Sequence, residues 1–375
     1  MPSQADARGP GIQEAEPLKP YTTFKIGGPA RYFARAASIE EFSKALELAR
    51  RLSLPFFVLG GGSNILVSDN GFEGVVVHPT CRGIEILEED ANAVIVGVNA
   101  AEDWDNLVKC AVEHDWRGIE NLSHIPGQAG AALVQNIGAY GQQVSDVLES
   151  AQVIRTETCA VLSLSAAGCD FGYRQSIFNT RARGEFIITR LLLRLVKHGR
   201  PQLDYPDVKA HFQRRSVEPP SLGEMRQAII SIRDQKFPFP RGEQGGNAGS
   251  FFKNLTLLES EYAALHARVQ HNFPRCDLMR LEEIRNRFPT ADRIRIPTAF
   301  LIEICGLKGY RVGGAQVNDA QPLVVLNQGG ATAQDVIAVA RHVRKTVWAR
   351  TGMAIAIEPE LVGFTKKEMD EINNL

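Results

Sequence analysis

The sequence predicts an α+β protein built from two or three domains. Its 375 residues are too many for one ordinary hydrophobic core. From Tyr21 onward, short apolar segments that alternate like strands are interleaved with segments of helical periodicity. A proline-containing stretch over 198–223 then divides the chain, so we expect one structural half on each side of it.

The first half opens with a segment that we predict to be disordered. Residues 1–19 hold acidic residues and prolines without an apolar core, so a signal or transit peptide is excluded. Strands are then expected on either side of a Gly-Gly pair, followed by a helix and by two short apolar strands at 55–62 and 74–79, which together make a βαββ unit. The apolar stripe of that helix is Phe42, Ala45, Leu46, Ala49 and Leu52.

The pattern from 84 to 198 predicts a second, strand-rich unit. Residues 84–100 alternate as a hairpin would, and 102–115 form an amphipathic helical pattern behind it. Strand-like segments follow up to His198, and the dividing stretch carries one short helical segment.

Beyond the dividing stretch the pattern becomes mixed again. A helix over 223–235 is expected to stop at "KFPFP", because two prolines forbid its continuation. After Asn254 the chain predicts a further α+β domain that ends in a strand returning to an earlier sheet. Its expected elements are helices near 256–271, 296–309 and 332–350, and strands at 322–328 and 353–364.

Composition excludes several classes of function. Lys and Arg number 42 against 43 Asp and Glu, so no overall field would attract nucleic acid or an anionic membrane. The six cysteines form no C-x-x-C pair and have no metal-ligand spacing to the histidines, which indicates reduced thiols in a cytoplasmic protein and no metal site. No apolar run is long enough to span a bilayer.

Two loops of small residues are candidates for ligand binding. "VLGGGSNIL" (58–66) lets consecutive backbone N–H groups converge on an anion, although for this loop taken alone a tight turn is the more ordinary explanation. "IPGQAGAALVQNIGAYGQQV" (125–144) has no charged residue and would let a flat ligand lie on the backbone, although close packing also favours small residues. The two loops together favour one extended nucleotide cofactor, but neither is a G-x-G-x-x-G or Walker motif.

A few polar residues stand out in apolar or glycine-rich surroundings. Tyr173 and Arg174 would either pair with a buried acid or receive a carboxylate ligand. Arg233 and Lys236 share a face at a helix end. They can be interpreted either as a solvated helix terminus or as a binding site for a diphosphate.

Two further segments carry candidate acids. Glu358 and Glu360 are expected on one face of a strand, as an exposed pair or as functional acids. Ser250, in "GGNAGSFFKN", has no G-x-S-x-G elbow around it, so Ser-His hydrolysis lacks its signature.

Taken together, these stretches resemble the UDP-N-acetylenolpyruvoylglucosamine reductases (UDP-N-acetylmuramate dehydrogenases), flavoenzymes of bacterial peptidoglycan synthesis. The matching pieces extend from about Thr22 to Val362, and "GNAGSFFKN" and "QNIGAYG" are the most specific of them. The resemblance implies an α+β fold with a two-part FAD-binding unit of the vanillyl-alcohol-oxidase (PCMH) type and a separate substrate domain. It also implies non-covalent FAD, NADPH as reductant, an enolpyruvyl UDP-sugar as substrate, and a cytoplasmic monomer.

The resemblance also implies domain boundaries. FAD-binding subdomains are expected at 20–85 and 86–236, with 351–375 returning to the second, and a substrate domain at 237–350.

Site residues are carried over by motif. The implied catalytic residues are Ser250 as proton donor, with Arg174 and Glu360 stabilising charge; Glu360 is chosen over Glu358 because it directly precedes the aliphatic residue of the last strand. The implied substrate-binding residues are Tyr173, Tyr205, Arg233, Lys236 and Asn254, where Tyr205 matches the mobile tyrosine loop of one subclass. The implied cofactor-binding residues are Gly60, Gly61, Gly62, Ser63, Asn64, Pro126, Gly127, Gly130, Asn136, Gly138, Ala139, Tyr140 and Gly141.

This chain also departs from the family pattern. Asn318 stands where the family often has a histidine, and the segment 271–292 is longer than usual. Two other hypotheses therefore stay open: another FAD oxidoreductase of the same fold, and a flavin- or UDP-sugar-binding paralogue without catalysis.

Overall fold

A computed structural model describes residues 11–213, 219–236, 245–287 and 293–373. These residues fall into two compact units. Unit 1 takes the described residues within 11–16, 30–61 and 73–235, and unit 2 takes those within 17–29, 62–72 and 236–373.

The lengths of the strands range from 2 to 11 residues. In chain order they are β1 Ile12–Pro17, β2 Pro29–Ala36, β3 Phe56–Val58, β4 Ile65–Val67, β5 Phe72–Pro79, β6 Ile84–Glu89, β7 Ala93–Asn99, β8 Gly138–Ala139, β9 Gln142–Gln143, β10 Leu148–Arg155, β11 Val161–Ser165, β12 Phe186–Val196, β13 Leu255–Leu257, β14 Ile294–Ile296, β15 Arg311–Val312, β16 Ala315–Val317, β17 Val325–Asn327 and β18 Glu360–Val362.

The helices are most frequent toward the C-terminus. In chain order they are α1 Ile39–Arg51, α2 Trp104–Glu113, α3 Ala129–Val134, α4 Pro206–Phe212, α5 Leu222–Lys236, α6 Glu259–Asn272, α7 Arg275–Arg287, α8 Thr298–Ile304, α9 Ala333–Thr351 and α10 Lys366–Asn373. No helix among the described residues is long and apolar enough to cross a lipid bilayer.

The described residues of unit 1 form two larger sheets and the two-stranded hairpin β8-β9. The first has the strand order β1-β2-β5-β3, and β3 pairs parallel with β5. Helix α1 packs on it through the predicted stripe, of which Phe42 and Leu46 are almost fully buried. Leu52 was expected on that stripe but lies beyond the helix and is 38% exposed.

The second sheet of unit 1 is antiparallel, with the order β11-β10-β12-β7-β6. The predicted hairpin is β6-β7 and the predicted helix behind it is α2, whose Trp104 and Leu107 are buried in the same core as the small residues of α3. Helix α5 buries Met225 and Ile229 in a separate small cluster with Val208 of α4. This packing places the end of α5 beside the loops of the second sheet.

Unit 2 has one large apolar core and several short strands. Its three-stranded sheet, β15-β16-β17, packs with the long helix α9. The predicted helices near 256–271, 296–309 and 332–350 are present as α6, α8 and α9. Helix α9 ends at Gly352, whose φ of +71° is the left-handed conformation that a helix C-terminus commonly adopts.

Three expectations from the sequence need correction. The predicted disordered segment 1–19 is too long, because Ile12–Pro17 forms β1 at the edge of a sheet. The C-terminal strand does return, but β18 pairs parallel with β4, within 20–85 rather than 86–236. Glu358 precedes β18, so it does not share a strand face with Glu360.

The predicted end of α5 at "KFPFP" lies at the edge of the described residues, and both prolines fall outside them.

The start of α1 provides a test of local stability. The Ser38 hydroxyl accepts a hydrogen bond from the Glu41 N–H (3.3 Å), and the Glu41 carboxylate accepts one from the Ser38 N–H (3.2 Å). We expect Ser38→Ala to lower the free energy of unfolding of unit 1 by about 1 kcal/mol, because an N–H at the helix start loses its acceptor. Urea unfolding measures this, with Ser43→Ala inside the same helix as control. Equal effects of the two substitutions would contradict the capping assignment.

Candidate functional site

The first glycine loop follows β3 and meets the second loop within unit 1. A Cβ added to Gly61 would lie 2.6 Å from the Gly127 Cα, and one added to Gly60 would lie 2.9 Å from the Ala131 Cβ. Real side chains do not come this close, so both positions require glycine. Backbone of the two loops is therefore directly apposed.

The rest of the first loop belongs to unit 2. Gly62 has a φ of +60°, and a Cβ there would lie 2.1 Å from the Tyr21 carbonyl oxygen. The Asn64 carbonyl accepts a hydrogen bond from the Glu360 N–H (3.0 Å). The amide nitrogen of the Asn64 side chain is buried and has no hydrogen-bond partner within the described part of the protein, so it is a donor suited to a ligand oxygen.

The second loop is held by the start of α2. The Trp104 N–H donates to the Gly127 carbonyl (3.0 Å), and the Trp104 indole donates to the Leu122 carbonyl (3.1 Å). The short helix α3 follows, and its Gly130 lies against Ala100 with no room for a Cβ. Gly127 and Gly130 thus present backbone rather than side chains, and the contact of Pro126 with a cofactor stays a prediction.

The "QNIGAYG" part of this loop is a tight hairpin. Gly138 and Ala139 pair with the two glutamines of β9 across Tyr140 and Gly141, whose φ angles are +48° and +90°. Asn136 is almost fully buried, with its side-chain amide donating to the Gly172 carbonyl (3.1 Å). Asn136 therefore has a structural role in the loop, and its contact with a cofactor stays a prediction.

Tyr173 and Arg174 form the tip of a two-residue turn. Gly172 and Gln175 exchange backbone hydrogen bonds of 3.0 and 3.2 Å on either side of it. Arg174 has a φ of +57°, a conformation that a residue with a side chain adopts at an energetic cost. The turn is attached to the second glycine loop through the amide of Asn136. The fold of unit 1 thus brings this pair beside the predicted cofactor loop.

Arg233 on α5 is the buried cation of unit 1. It is 8% exposed, and its Nε donates to the His124 carbonyl (3.0 Å). Burial lowers the pKa of Arg233, and the nearby charge of Arg174 lowers it further. The charge of Arg174 acts on Arg233, and two guanidinium groups whose charges interact favour an anionic ligand.

Tyr140 and Tyr205 complete this group. Tyr140 is hydrogen-bonded to Arg233, and burial raises the pKa of its phenol to about 12, so the hydroxyl stays protonated. The Tyr205 ring packs edge-on against Tyr140, with centroids 5.2 Å apart. Unit 1 therefore gathers four predicted ligand residues: Tyr140, Arg174, Tyr205 and Arg233.

Ser250 lies in unit 2, in a segment whose backbone is held on both sides. Gly246 pairs with Asn327 (2.8 and 3.2 Å), and the Phe251 N–H donates to the Leu323 carbonyl (2.7 Å). Phe251 and Phe252 are fully buried. The half-buried Ser250 has no hydrogen bond from its hydroxyl to any described residue. The backbone that carries this hydroxyl is thus fixed on both sides.

The two acidic candidates differ in position. The Glu360 N–H is bonded to the Asn64 carbonyl, and the Glu358 N–H donates to the Phe251 carbonyl (2.9 Å). Both side chains are half-buried. Glu360 is thus attached to the predicted cofactor loop, and Glu358 to the Ser250 segment.

The predicted substrate residues of unit 2 have structural contacts of their own. The Asn254 side-chain oxygen accepts a hydrogen bond from the N–H of Thr298 at the start of α8 (3.1 Å). Asn318, where a histidine was expected, is 5% exposed and donates to the Lys236 carbonyl (3.3 Å). This departure from the family pattern therefore touches the backbone of a predicted substrate-binding residue.

One polar group was not predicted from the sequence. Asp105 accepts a bidentate pair of hydrogen bonds from Arg226 (2.6 and 2.8 Å) and a further one from the His124 N–H. These residues are far apart along the chain and match no motif. The only local signal is the histidine just before "IPG".

Comparison with known proteins identifies both parts of the chain. The family model described as the FAD binding domain matches residues 30–164, and the one described as the UDP-N-acetylenolpyruvoylglucosamine reductase C-terminal domain matches residues 240–362. The first match covers the glycine loops and the second covers Ser250 and Glu360.

Several relatives are similar over nearly their whole length. The UDP-N-acetylenolpyruvoylglucosamine reductase of Flavobacterium johnsoniae is 36% identical over 94% of this chain and 99% of its own. That of Chromobacterium violaceum is 38% identical over 91% of this chain and 96% of its own.

A solved structure agrees with these relatives. The crystal structure of UDP-N-acetylenolpyruvylglucosamine reductase from Thermus caldophilus has a TM-score of 0.61 and 25% identity, and covers 94% of this chain and 98% of its own. The predicted fold class is confirmed: an FAD-binding unit of the vanillyl-alcohol-oxidase type with a separate α+β domain. The chain therefore belongs to the UDP-N-acetylenolpyruvoylglucosamine reductase family.

Proposed function

We propose that this protein uses NADPH and FAD to reduce the enolpyruvyl ether of UDP-N-acetylglucosamine to the lactyl ether, which gives UDP-N-acetylmuramate for peptidoglycan synthesis. The observation that carries the proposal is 36% identity over 94% of the chain to a reductase of this name. We place the enzyme in the cytoplasm as a monomer, in keeping with its unpaired cysteines.

The residues present fit FAD. The apposed backbones at Gly61 and Gly127 leave a surface free of side chains, which a pyrophosphate or a flat ring requires. The buried amide of Asn64 offers a donor for a cofactor oxygen. When bound, the flavin reduced by NADPH supplies hydride to the enolpyruvyl group.

Arg174 would bind the carboxylate of the enolpyruvyl group. A planar guanidinium donates two parallel hydrogen bonds to a carboxylate, and these strengthen as negative charge builds up beside it. Its place at the tip of a two-residue turn, held at a φ of +57°, fixes the direction from which it approaches. Arg233 would support the same charge or that of the diphosphate.

Ser250 would donate the proton. After hydride arrives at the terminal carbon, negative charge develops on the adjacent carbon, which is far more basic than a serine alkoxide. A hydroxyl needs no histidine for this step, only placement within hydrogen-bond reach. Gly249, with a φ of +70° and open space where a Cβ would be, permits close approach, and the buried phenylalanines exclude competing water.

Glu360 would assist in stabilising the developing charge, which a carboxyl group can do only by donating its own proton in a hydrogen bond. Its half-buried place at the start of β18, with its N–H bonded to the Asn64 carbonyl, fixes the backbone from which its side chain would act. The remaining substrate residues, Lys236, Asn254, Tyr205 and Tyr173, would hold the UDP-sugar and contribute binding energy from its unreactive part.

The proposed activity has a direct test. The purified protein should show a flavin absorption spectrum and oxidise NADPH quickly only when the enolpyruvyl UDP-sugar is present. Fast oxidation that ignores this sugar would indicate another FAD oxidoreductase. Flavin and sugar binding without any turnover would indicate a non-catalytic paralogue.

The role of Ser250 predicts which half of the reaction it affects. We expect Ser250→Ala to slow reoxidation of the reduced flavin by the UDP-sugar by about 100-fold or more, because the proton donor is lost. Flavin reduction by NADPH should be almost unchanged. Stopped-flow measurement of each half separates the two, with the exposed Ser260→Ala on α6 as control. Equal losses in both halves would mean that Ser250 is structural.

The apposed loops predict an effect on the cofactor. Gly61→Ala should weaken FAD binding about tenfold or more, because its Cβ meets backbone atoms of the second loop that cannot yield. Gly168→Ala in unit 1 meets only the Ser165 hydroxyl at 3.5 Å and should bind FAD normally. Fluorescence titration of the apoprotein measures both. An unchanged affinity of the Gly61→Ala variant for FAD would mean that the two loops do not form the cofactor site.

A further inference from the structure

His124 lies two residues before the Pro126–Gly127 turn of the second glycine loop and has an unusual backbone. Its φ is +60°, in the left-handed region that residues other than glycine enter at a cost. Histidine tolerates this region better than most residues, and β-branched residues tolerate it least. Something in unit 1 must therefore stabilise the turn at His124.

Charged residues of two helices hold His124 on three sides. From α2, the Asp105 carboxylate accepts a hydrogen bond from its N–H. From α5, the Arg233 Nε donates to its carbonyl (3.0 Å), and the Asp234 carboxylate lies 3.1 Å from its imidazole Nε2. The backbone and the ring of one residue are thus fixed by separate partners.

Asp105 is itself fixed. Burial alone would raise the pKa of its carboxyl, but the hydrogen bonds from Arg226 and from the His124 N–H outweigh burial and hold the pKa below its usual value. Arg226 is seven residues before Arg233 on α5, so both lie on the same face of that helix. Helix α5 therefore reaches His124 directly and also through Asp105.

The same segment is held by Trp104, next to Asp105 on α2. Trp104 donates to the carbonyls of Leu122 and Gly127, which come before and after His124 along the chain. Gly127 in turn is the residue that leaves Gly61 no room for a side chain. The left-handed turn at His124 thus sets where the second loop meets the first.

We propose that His124 is a positioning residue for FAD, held in its left-handed turn by Asp105, Arg233 and Asp234 so that the Pro126–Gly130 backbone lies against the Gly60–Gly61 loop. This rests on the proposed function, in which that backbone contacts the cofactor. His124 lies in the segment that leads into the loop, so its effect is expected on cofactor affinity and on the flavin environment.

The test compares variants that differ in their tolerance of the left-handed turn. His124→Val should weaken FAD binding about tenfold or more and shift the absorption band and reduction potential of the bound flavin, because a β-branched residue opposes the turn. His124→Asn keeps the turn and the backbone bonds, and should restore most of the affinity. The exposed His198→Val in the same unit serves as control. Fluorescence titration and circular dichroism of the full-length apoproteins give affinity and folding separately.

Each outcome decides the proposal. FAD affinity and flavin spectra equal to wild type in both His124 variants would overturn it, as would equal losses in Val and Asn. Should His124→Val fail to fold, Asp234→Ala, which removes the partner of the imidazole, must weaken FAD binding measurably for the proposal to stand. Wild-type protein that binds no FAD would instead refute the proposed function.

Discussion

The close approach of two backbone segments is the constraint on which unit 1 depends. Gly61 and Gly127 lie so near each other that a single methyl group would force them apart. Such an arrangement presents peptide groups to a ligand, but it provides no side-chain packing to stabilise itself. The surrounding elements supply that stability, through the Trp104 bonds to the second loop and the packing of Gly130 on Ala100.

Unit 2 also holds a predicted site residue in place, through backbone pairing and buried aromatic rings. Ser250 follows a glycine with a positive φ, and its place is set by backbone pairing at Gly246 and Phe251 and by two buried rings. Asn327 adds to this, since its side-chain amide donates to the Phe24 carbonyl (3.0 Å). A group that only has to give up a proton needs an exact place more than an activating partner, and the backbone pairing provides that place.

Much of this could be predicted because the signals are local. The stripe at Phe42 and Leu46 records helical periodicity directly, and α9 carries both a Thr332 cap and a terminal glycine. The strand β1 escaped prediction because it is an edge strand whose residues are mostly exposed, so its pairing leaves no apolar alternation to read. The parallel pairing of β18 with β4 joins segments almost 300 residues apart, and no local pattern reports such a contact.

The site residues divide in the same way. The glycine loops and the Ser250 segment could be found because they are continuous motifs, whereas the Asp105, His124 and Arg226 group comes from three separate segments. Arg226 and Asp105 are 121 residues apart. From the sequence, each would be interpreted as an ordinary surface charge on an amphipathic helix.

Strained backbone is a feature that the predicted ligand-binding segments of unit 1 share. His124, Asn136, Tyr140 and Arg174 all have positive φ although none is glycine; the last three lie in segments predicted to meet a ligand, and His124 directly precedes one of them. Each is restrained by a side chain: the Asn121 amide donates to the Tyr140 carbonyl (2.9 Å), and the Asn179 amide to that of Arg174 (3.1 Å). Strain of about 1–3 kcal/mol per residue persists only where neighbours enforce it. Contacts within unit 1 therefore hold these loops in shape, which lowers the binding energy needed to order them.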